Sequence, residues 1–193
     1  MDTSELQGLT IKELQKFADD LGSTDFSGLR KQDLIKEILG IQAKKKGNIL
    51  DIGSGGGVFL HEFLKRYKSW TPFAVEPTPE YAKLALSKLG CRVHVGNFNS
   101  NLFDETKFDL ITCNQVLEHI IDPNKFLHEV YSELNHGGYA YIEVPDASDF
   151  KELPYNHDRF LSQHLWYFSK HILEKLFKDV GFKVVKIHIS KTI

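Results

Sequence analysis

Residues 47–57, GNILDIGSGGG, run an apolar segment into a turn with four glycines in five positions, and Val58–Tyr67 behind it repeats apolar residues at helical spacing. A strand that enters a glycine turn and leaves as a helix is the opening unit of an open α/β sheet. The same order then recurs. Extended apolar runs fall at Asn48–Ile52, Phe73–Glu76, Arg92–Val95, Phe108–Cys113, Tyr139–Val144 and Phe182–Ile189, and helical patterns at Val58–Tyr67, Glu80–Leu89, Asn124–Leu134 and Lys170–Val180. Such alternation implies a doubly wound, mostly parallel sheet covered by helices on both faces. Ser169 is the expected N-cap of the last helix and Gly181 its stop.

A basic stretch ending in turn residues, Ala43–Asn48, divides this region (47–193) from a small helical module (1–42). Thr10-Ile11-Lys12-Glu13 has the capping-box pattern, and Ile11, Leu14, Phe17, Ala18 and Leu21 form one helical face before Gly22. A second helix is expected after Ser27-Gly28, with Leu34, Ile35, Ile38 and Leu39 on one side.

The 193 residues carry a net charge of −2, so no global field points to nucleic acid or membrane. Cys91 and Cys113 are too few for a disulfide framework and too far apart for a metal-ligand pair. The N-terminus lacks an apolar signal core and no run is long enough to span a bilayer, so a soluble, cytoplasmic protein is expected.

Asp51 stands two residues before the first glycine of the turn. The dinucleotide fingerprint G-x-G-x-x-G presents backbone N–H groups to a pyrophosphate. Here the pattern is Gly53, Gly55, Gly57, and Val58 takes the place of the last small residue. A carboxylate beside the turn repels a pyrophosphate and favours a cation. S-adenosylmethionine is a nucleoside ligand with an ammonium and a sulfonium and no phosphate. Glu76, ending the second strand, is placed to accept hydrogen bonds from ribose hydroxyls. Asn97 is placed for the adenine edge with Phe98 near the ring, and Asn114-Gln115 faces the methionine end.

From about Gly47 to Ile189 the chain resembles the class I S-adenosylmethionine-dependent methyltransferases, through ILDIGSGGG, FAVEP, VGNF, FDLITCNQVLEHIIDP and LNHGGYAYIEVP. The Leu117-Glu118-His119 step and the Gly137-Gly138 turn look most like the ubiquinone-biosynthesis and sugar-methyltransferase branches. The resemblance implies a Rossmann-like methyltransferase fold, S-adenosylmethionine as cofactor, and cofactor contacts at Asp51, Gly53, Ser54, Gly55, Glu76, Asn97 and Asn114. The family's sheet usually ends in an antiparallel hairpin, for which only Ser190–Ile193 remain here, so either the hairpin is absent or the chain is a piece of something longer. An open edge of that kind invites pairing with another subunit.

Methyl transfer from a sulfonium is an in-line displacement, and a base is needed only if the acceptor must lose a proton. His157, Asp158 and His164, in the aromatic stretch after Asp146, are the base candidates, and Glu118-His119 is an alternative. Tyr155, Phe160, Trp166, Tyr167 and Phe168 could line an acceptor pocket or pack as core. No H-x-x-x-H or carboxylate–histidine helix pair occurs, so no metal is expected. The [DNS]-P-P-[FYW] step of exocyclic-amine DNA methyltransferases is replaced by Asn114-Gln115-Val116-Leu117, and the Pro-Cys nucleophile is missing, which favours a small-molecule acceptor.

Residues Leu9–Leu39 resemble SAP-like helix–extension–helix modules and the N-terminal module of transcription terminator Rho, which implies a nucleic-acid partner through residues 9–46. The first 46 residues balance at eight charges of each sign, which places helices capping the substrate pocket ahead of that partner. Three readings follow: a small-molecule methyltransferase, a methyltransferase recruited to nucleic acid, and a non-catalytic S-adenosylmethionine-binding adaptor. The pattern sets no oligomeric state.

Overall fold

The structure, a computed structural model, describes residues 3–20, 46–148, 150, 154 and 163–189. The stop at Gly22, the second N-terminal helix, Tyr155, Phe160 and the base candidates His157 and Asp158 lie outside the described residues. The chain divides into two compact units: Met1–Lys46 with Glu62–Trp70, and Gly47–His61 with Thr71–Ile193.

In the first unit, α1 (Thr3–Gly8) precedes α2 (Ile11–Asp20). The capping box forms as expected: Glu13 N donates to Thr10 Oγ1 at 3.3 Å, and Thr10 N donates to Glu13 Oε2 at 2.8 Å. Leu6, Leu14 and Ala18 are fully buried. Helix α1 leaves no periodic pattern among the residues, because six residues are too few to show one.

The second unit is built on five parallel strands: β1 (Asn48–Ile52), β2 (Thr71–Glu76), β3 (Arg92–Val95), β4 (Phe108–Asn114) and β5 (Leu134–Glu143), in the order β3-β2-β1-β4-β5. Helices α3 (Val58–Arg66, of which Glu62 onward is counted with the first unit), α4 (Pro79–Leu89) and α5 (Pro123–Glu133) follow β1, β2 and β4, and α6 (Lys170–Val180) comes after β5. Pro79 and Pro123 open their helices, where a missing N–H is not felt, and Asp122 Oδ1 accepts from Lys125 N at 3.0 Å. From β1 the chain steps outward through β2 to β3, then returns to the other side of β1 as β4. The strand order therefore reverses between β1 and β4, where sheets of this kind form a crevice at their carboxyl ends.

The central strands are buried on both faces, as the continuous apolar runs require. Phe73, Phe103 and Phe108 meet edge-on in the core, with ring centroids 5.2, 5.3 and 6.0 Å apart. Two expectations need correction. The fifth strand begins at Leu134 rather than Tyr139, with an irregularity in its pairing to β4 between Phe108 and Leu110 that takes up the Gly137-Gly138 turn. Phe182–Ile189 forms no strand. Its apolar residues serve packing instead: the Phe182 ring lies 5.0 Å from Tyr131 and 5.2 Å from Phe177, and Phe182 N donates to Phe177 O at the end of α6. Ser169 sits at the N-cap of α6 without a side-chain cap bond, and Gly181 ends the helix as expected.

Candidate active site

The turn after β1 is held from below. Gly53 N and Ser54 N both donate to Val75 O, at 2.8 and 3.2 Å, and Gly57 N donates to Ser54 O at 2.9 Å. Gly53 has φ +73°, and a Cβ there would stand 2.3 Å from Val116 Cγ2, so the next loop closes over it. Gly55 differs. Its φ is +53°, yet a Cβ there would meet nothing within 4 Å. The turn thus has one packed side and one open side.

Glu76 ties this turn to the end of β2. Its Oε2 accepts from Gly55 N at 2.8 Å and its Oε1 from Thr78 N at 2.9 Å, and the side chain is buried. Each oxygen keeps a second lone pair for a hydroxyl donor. Asp51 faces Thr112 in the β1–β4 register, and Thr112 Oγ1 donates to Asp51 Oδ1 at 2.7 Å. Asp51 is only 2% exposed. Burial pushes its carboxyl from 3.8 up to about 6, against the lowering effect of the Thr112 hydroxyl, with the charge of Glu76 adding to the rise. Ser54 Oγ is buried and finds no hydrogen-bond partner among the described residues.

Around the same edge of the sheet, Asn97 is exposed after β3, and Phe98 is half-buried with its ring 5.6 Å from Phe126. Asn114 ends β4 half-buried. Gln115 adopts φ +55°, unusual for a residue with a side chain. Two bonds to Glu143 hold it: Gln115 N to the backbone oxygen at 2.9 Å and Nε2 to Oε1 at 3.2 Å. The nine expected cofactor contacts therefore lie at the carboxyl ends of four adjacent strands. The segments 53–57, 77–78, 96–98 and 114–122 contain no lysine or arginine. An open glycine cradle flanked by Asp51 and Glu76, with no basic side chain in these segments, fits a cationic nucleoside such as S-adenosylmethionine and not a pyrophosphate.

Glu118, His119 and His164 converge, although 45 positions separate the last two. Glu118 and His119 lie on a 3₁₀ turn, Leu117–His119. The backbone oxygen of Glu118 accepts from Leu165 N at 2.8 Å and Trp166 N at 3.1 Å, and Trp166 Nε1 donates to Ile120 O at 2.8 Å. These bonds bring His164 Nε2 to 3.9 Å from Glu118 Oε1 and its ring to 4.8 Å from that of His119. Burial raises the Glu118 carboxyl above its ordinary range, with its own backbone N–H and then the two imidazoles opposing that shift. Trp166 and Tyr167 are exposed at the surface, while Phe168 belongs to the core.

A family profile described as "Methyltransferase domain" matches residues 26–187. Malonyl-[acyl-carrier protein] O-methyltransferase 1 of Ilyobacter polytropus is 33% identical over 100 residues, covering 50% of this chain and 37% of its own length. A ubiquinone biosynthesis O-methyltransferase of Pseudomonas fluorescens is 27% identical over 114 residues, covering 57% of this chain and 48% of its own. The chain thus spans half or less of the length of these curated relatives. Among solved structures, an S-adenosylmethionine-dependent methyltransferase of Thermotoga maritima superposes with a TM-score of 0.58 at 25% identity, covering 72% of this chain and 65% of that one. The glycine cradle, the strand order and the matched profile agree: this chain belongs to the methyltransferase-domain family, whose members use S-adenosylmethionine.

Proposed function

We propose that the chain binds S-adenosylmethionine at the β1–β2 edge and transfers its methyl group to a small-molecule hydroxyl. The open side of the turn at Gly55, beside the paired acids Asp51 and Glu76, carries the reading. S-adenosylmethionine supplies an electrophilic methyl group on a sulfonium. Glu76 receives the ribose hydroxyls through its remaining lone pairs, Asn97 and Phe98 flank the adenine, and Asn114 meets the methionine end. Asp51 acts through its charge, since so little of it reaches the surface. Both curated relatives above are named O-methyltransferases, which supports an oxygen acceptor. Such an acceptor must lose its proton as the new bond forms, and the Glu118–His119–His164 cluster is the group of titratable side chains suited to removing it.

S-adenosylhomocysteine release, measured over a panel of phenols, sugars, carboxylic acids and amines, tests this. Turnover is expected with phenol or sugar hydroxyls, and turnover confined to amines or carboxylic acids would overturn the hydroxyl acceptor. Cofactor binding without turnover on any acceptor class would overturn the catalytic reading and leave a binding adaptor.

A further inference from the structure

Among the described residues, Glu118, His119 and His164 form a titratable cluster outside the cofactor cradle. One ligand atom from each lies within 4.8 Å of the others. Glu118 is 1% exposed, and among the described residues no other residue gives a hydrogen bond to either of its carboxylate oxygens. A buried carboxylate left so is costly unless a cation completes it. The two imidazoles standing against it offer a charged proton or a lone pair.

The surroundings favour the lone pair. His119 Nδ1 lies 3.2 Å from Gln163 O, an acceptor only. Nδ1 must therefore carry the hydrogen, and Nε2 is left as the donor atom in the neutral ring. A backbone carbonyl fixing one ring nitrogen while the other faces a cation is the usual second contact of a metal-bound histidine. His164 is held by the backbone bonds of Leu165 and Trp166 to Glu118, so the ligands sit on two stitched segments rather than on a free loop. Donors about 2.1 Å from one tetrahedral ion lie about 3.4 Å apart, so binding needs the widest pair of the cluster to close by roughly 1.4 Å.

We propose that Glu118, His119 and His164 form a binding site for a divalent first-row transition metal of the zinc class. Two nitrogens and one carboxylate oxygen suit such an ion better than magnesium or calcium, which prefer oxygen donors. Three protein ligands leave a coordination position open. If the proposed hydroxyl acceptor occupied it, the ion would lower the pKa of that hydroxyl, the proton would leave to bulk water, and the cluster would serve the reaction by holding the ion in place of acting as the base. That last step rests on the function proposed above; the metal site does not.

Cobalt(II) titration of the EDTA-treated protein tests the site without an activity assay. The expected result is a saturable visible d–d absorption at one ion per chain, displaced by zinc, and lost in Glu118→Gln and in His164→Ala. His128→Ala, an exposed histidine outside the cluster, should keep it. Absence of a saturable band, or a band that survives both cluster variants, overturns the proposal. Thermal shift with S-adenosylmethionine on the same EDTA-treated samples separates the two readings: a retained shift leaves the cofactor site standing whatever the cobalt result. Unchanged shifts in the two variants also show that they remain folded.

Discussion

Asp51 sets a pH dependence with a definite sign. Its folded carboxyl titrates at about 6 against 3.8 for a free side chain. The native state therefore holds a proton that the unfolded chain has released, and this group's contribution falls as pH rises from about 4 through 6. The span corresponds to about 3 kcal/mol. Asp51→Asn keeps an acceptor for Thr112 and removes the charge. Its urea-unfolding free energy is expected to lose most of that fall, leaving the apo variant more stable than the parent at neutral pH. The same variant should bind S-adenosylmethionine more weakly. Glu76 is the charged group that faces Asp51, and burial, with the charge of Asp51 adding to it, pushes up the Cys91 and Cys113 thiols. In the parent protein a bound cation stabilises the ionised carboxylate, so cofactor affinity should rise with pH up to about 6 and level off. The two glycines beside it separate packing from binding. Gly53→Ala drives a methyl into Val116 and should cost well over 1 kcal/mol, partly recovered in Gly53→Ala/Val116→Ala. Gly55→Ala meets only its backbone strain, about 1–2 kcal/mol, and should fold while binding less cofactor, as chemical denaturation and calorimetry would show.

At the scale of elements, β4 joins the core to the site. Phe108 anchors its start among Phe73 and Phe103, and Asn114 ends it at the cofactor edge. Phe108→Ala should cost about 3–5 kcal/mol in urea unfolding, whereas Phe182→Ala, half-buried beyond α6, should cost less. Much of this element layout can be read from the residues alone. Central parallel strands are buried on both faces, so they appear as unbroken apolar runs, and the capping box at Thr10–Glu13 is a purely local pattern. Phe182–Ile189 misleads for a physical reason: apolar residues spaced for a strand also suit a segment that packs its rings without a ladder. The site divides in the same way. Asp51, Gly53, Gly55 and Glu76 sit at strand ends that the period of the sheet fixes. The approach of His164, 46 positions on, to Glu118 depends on the backbone hydrogen bonds from Leu165 and Trp166 to Glu118 O, which no local pattern records. The only available signal was that both segments held base candidates.

For the molecule as a whole, chemistry gathers along one edge of a sheet whose strand order reverses between β1 and β4. No helix among the described residues is long and apolar enough to cross a membrane. The cradle of Gly55 and Glu76 lies on the β1–β2 side of the reversal, and the Glu118 cluster follows β4 on the other. An acceptor that meets both must lie across the crevice. The most direct test is thermal unfolding of the purified chain with and without S-adenosylmethionine, run beside Glu76→Ala. At a hundredfold excess over its dissociation constant the ligand should add about 2.7 kcal/mol of stability, seen as a rise in Tm that Glu76→Ala abolishes. No rise at millimolar ligand, or a rise that Glu76→Ala leaves intact, would contradict the placement of the cofactor at this edge.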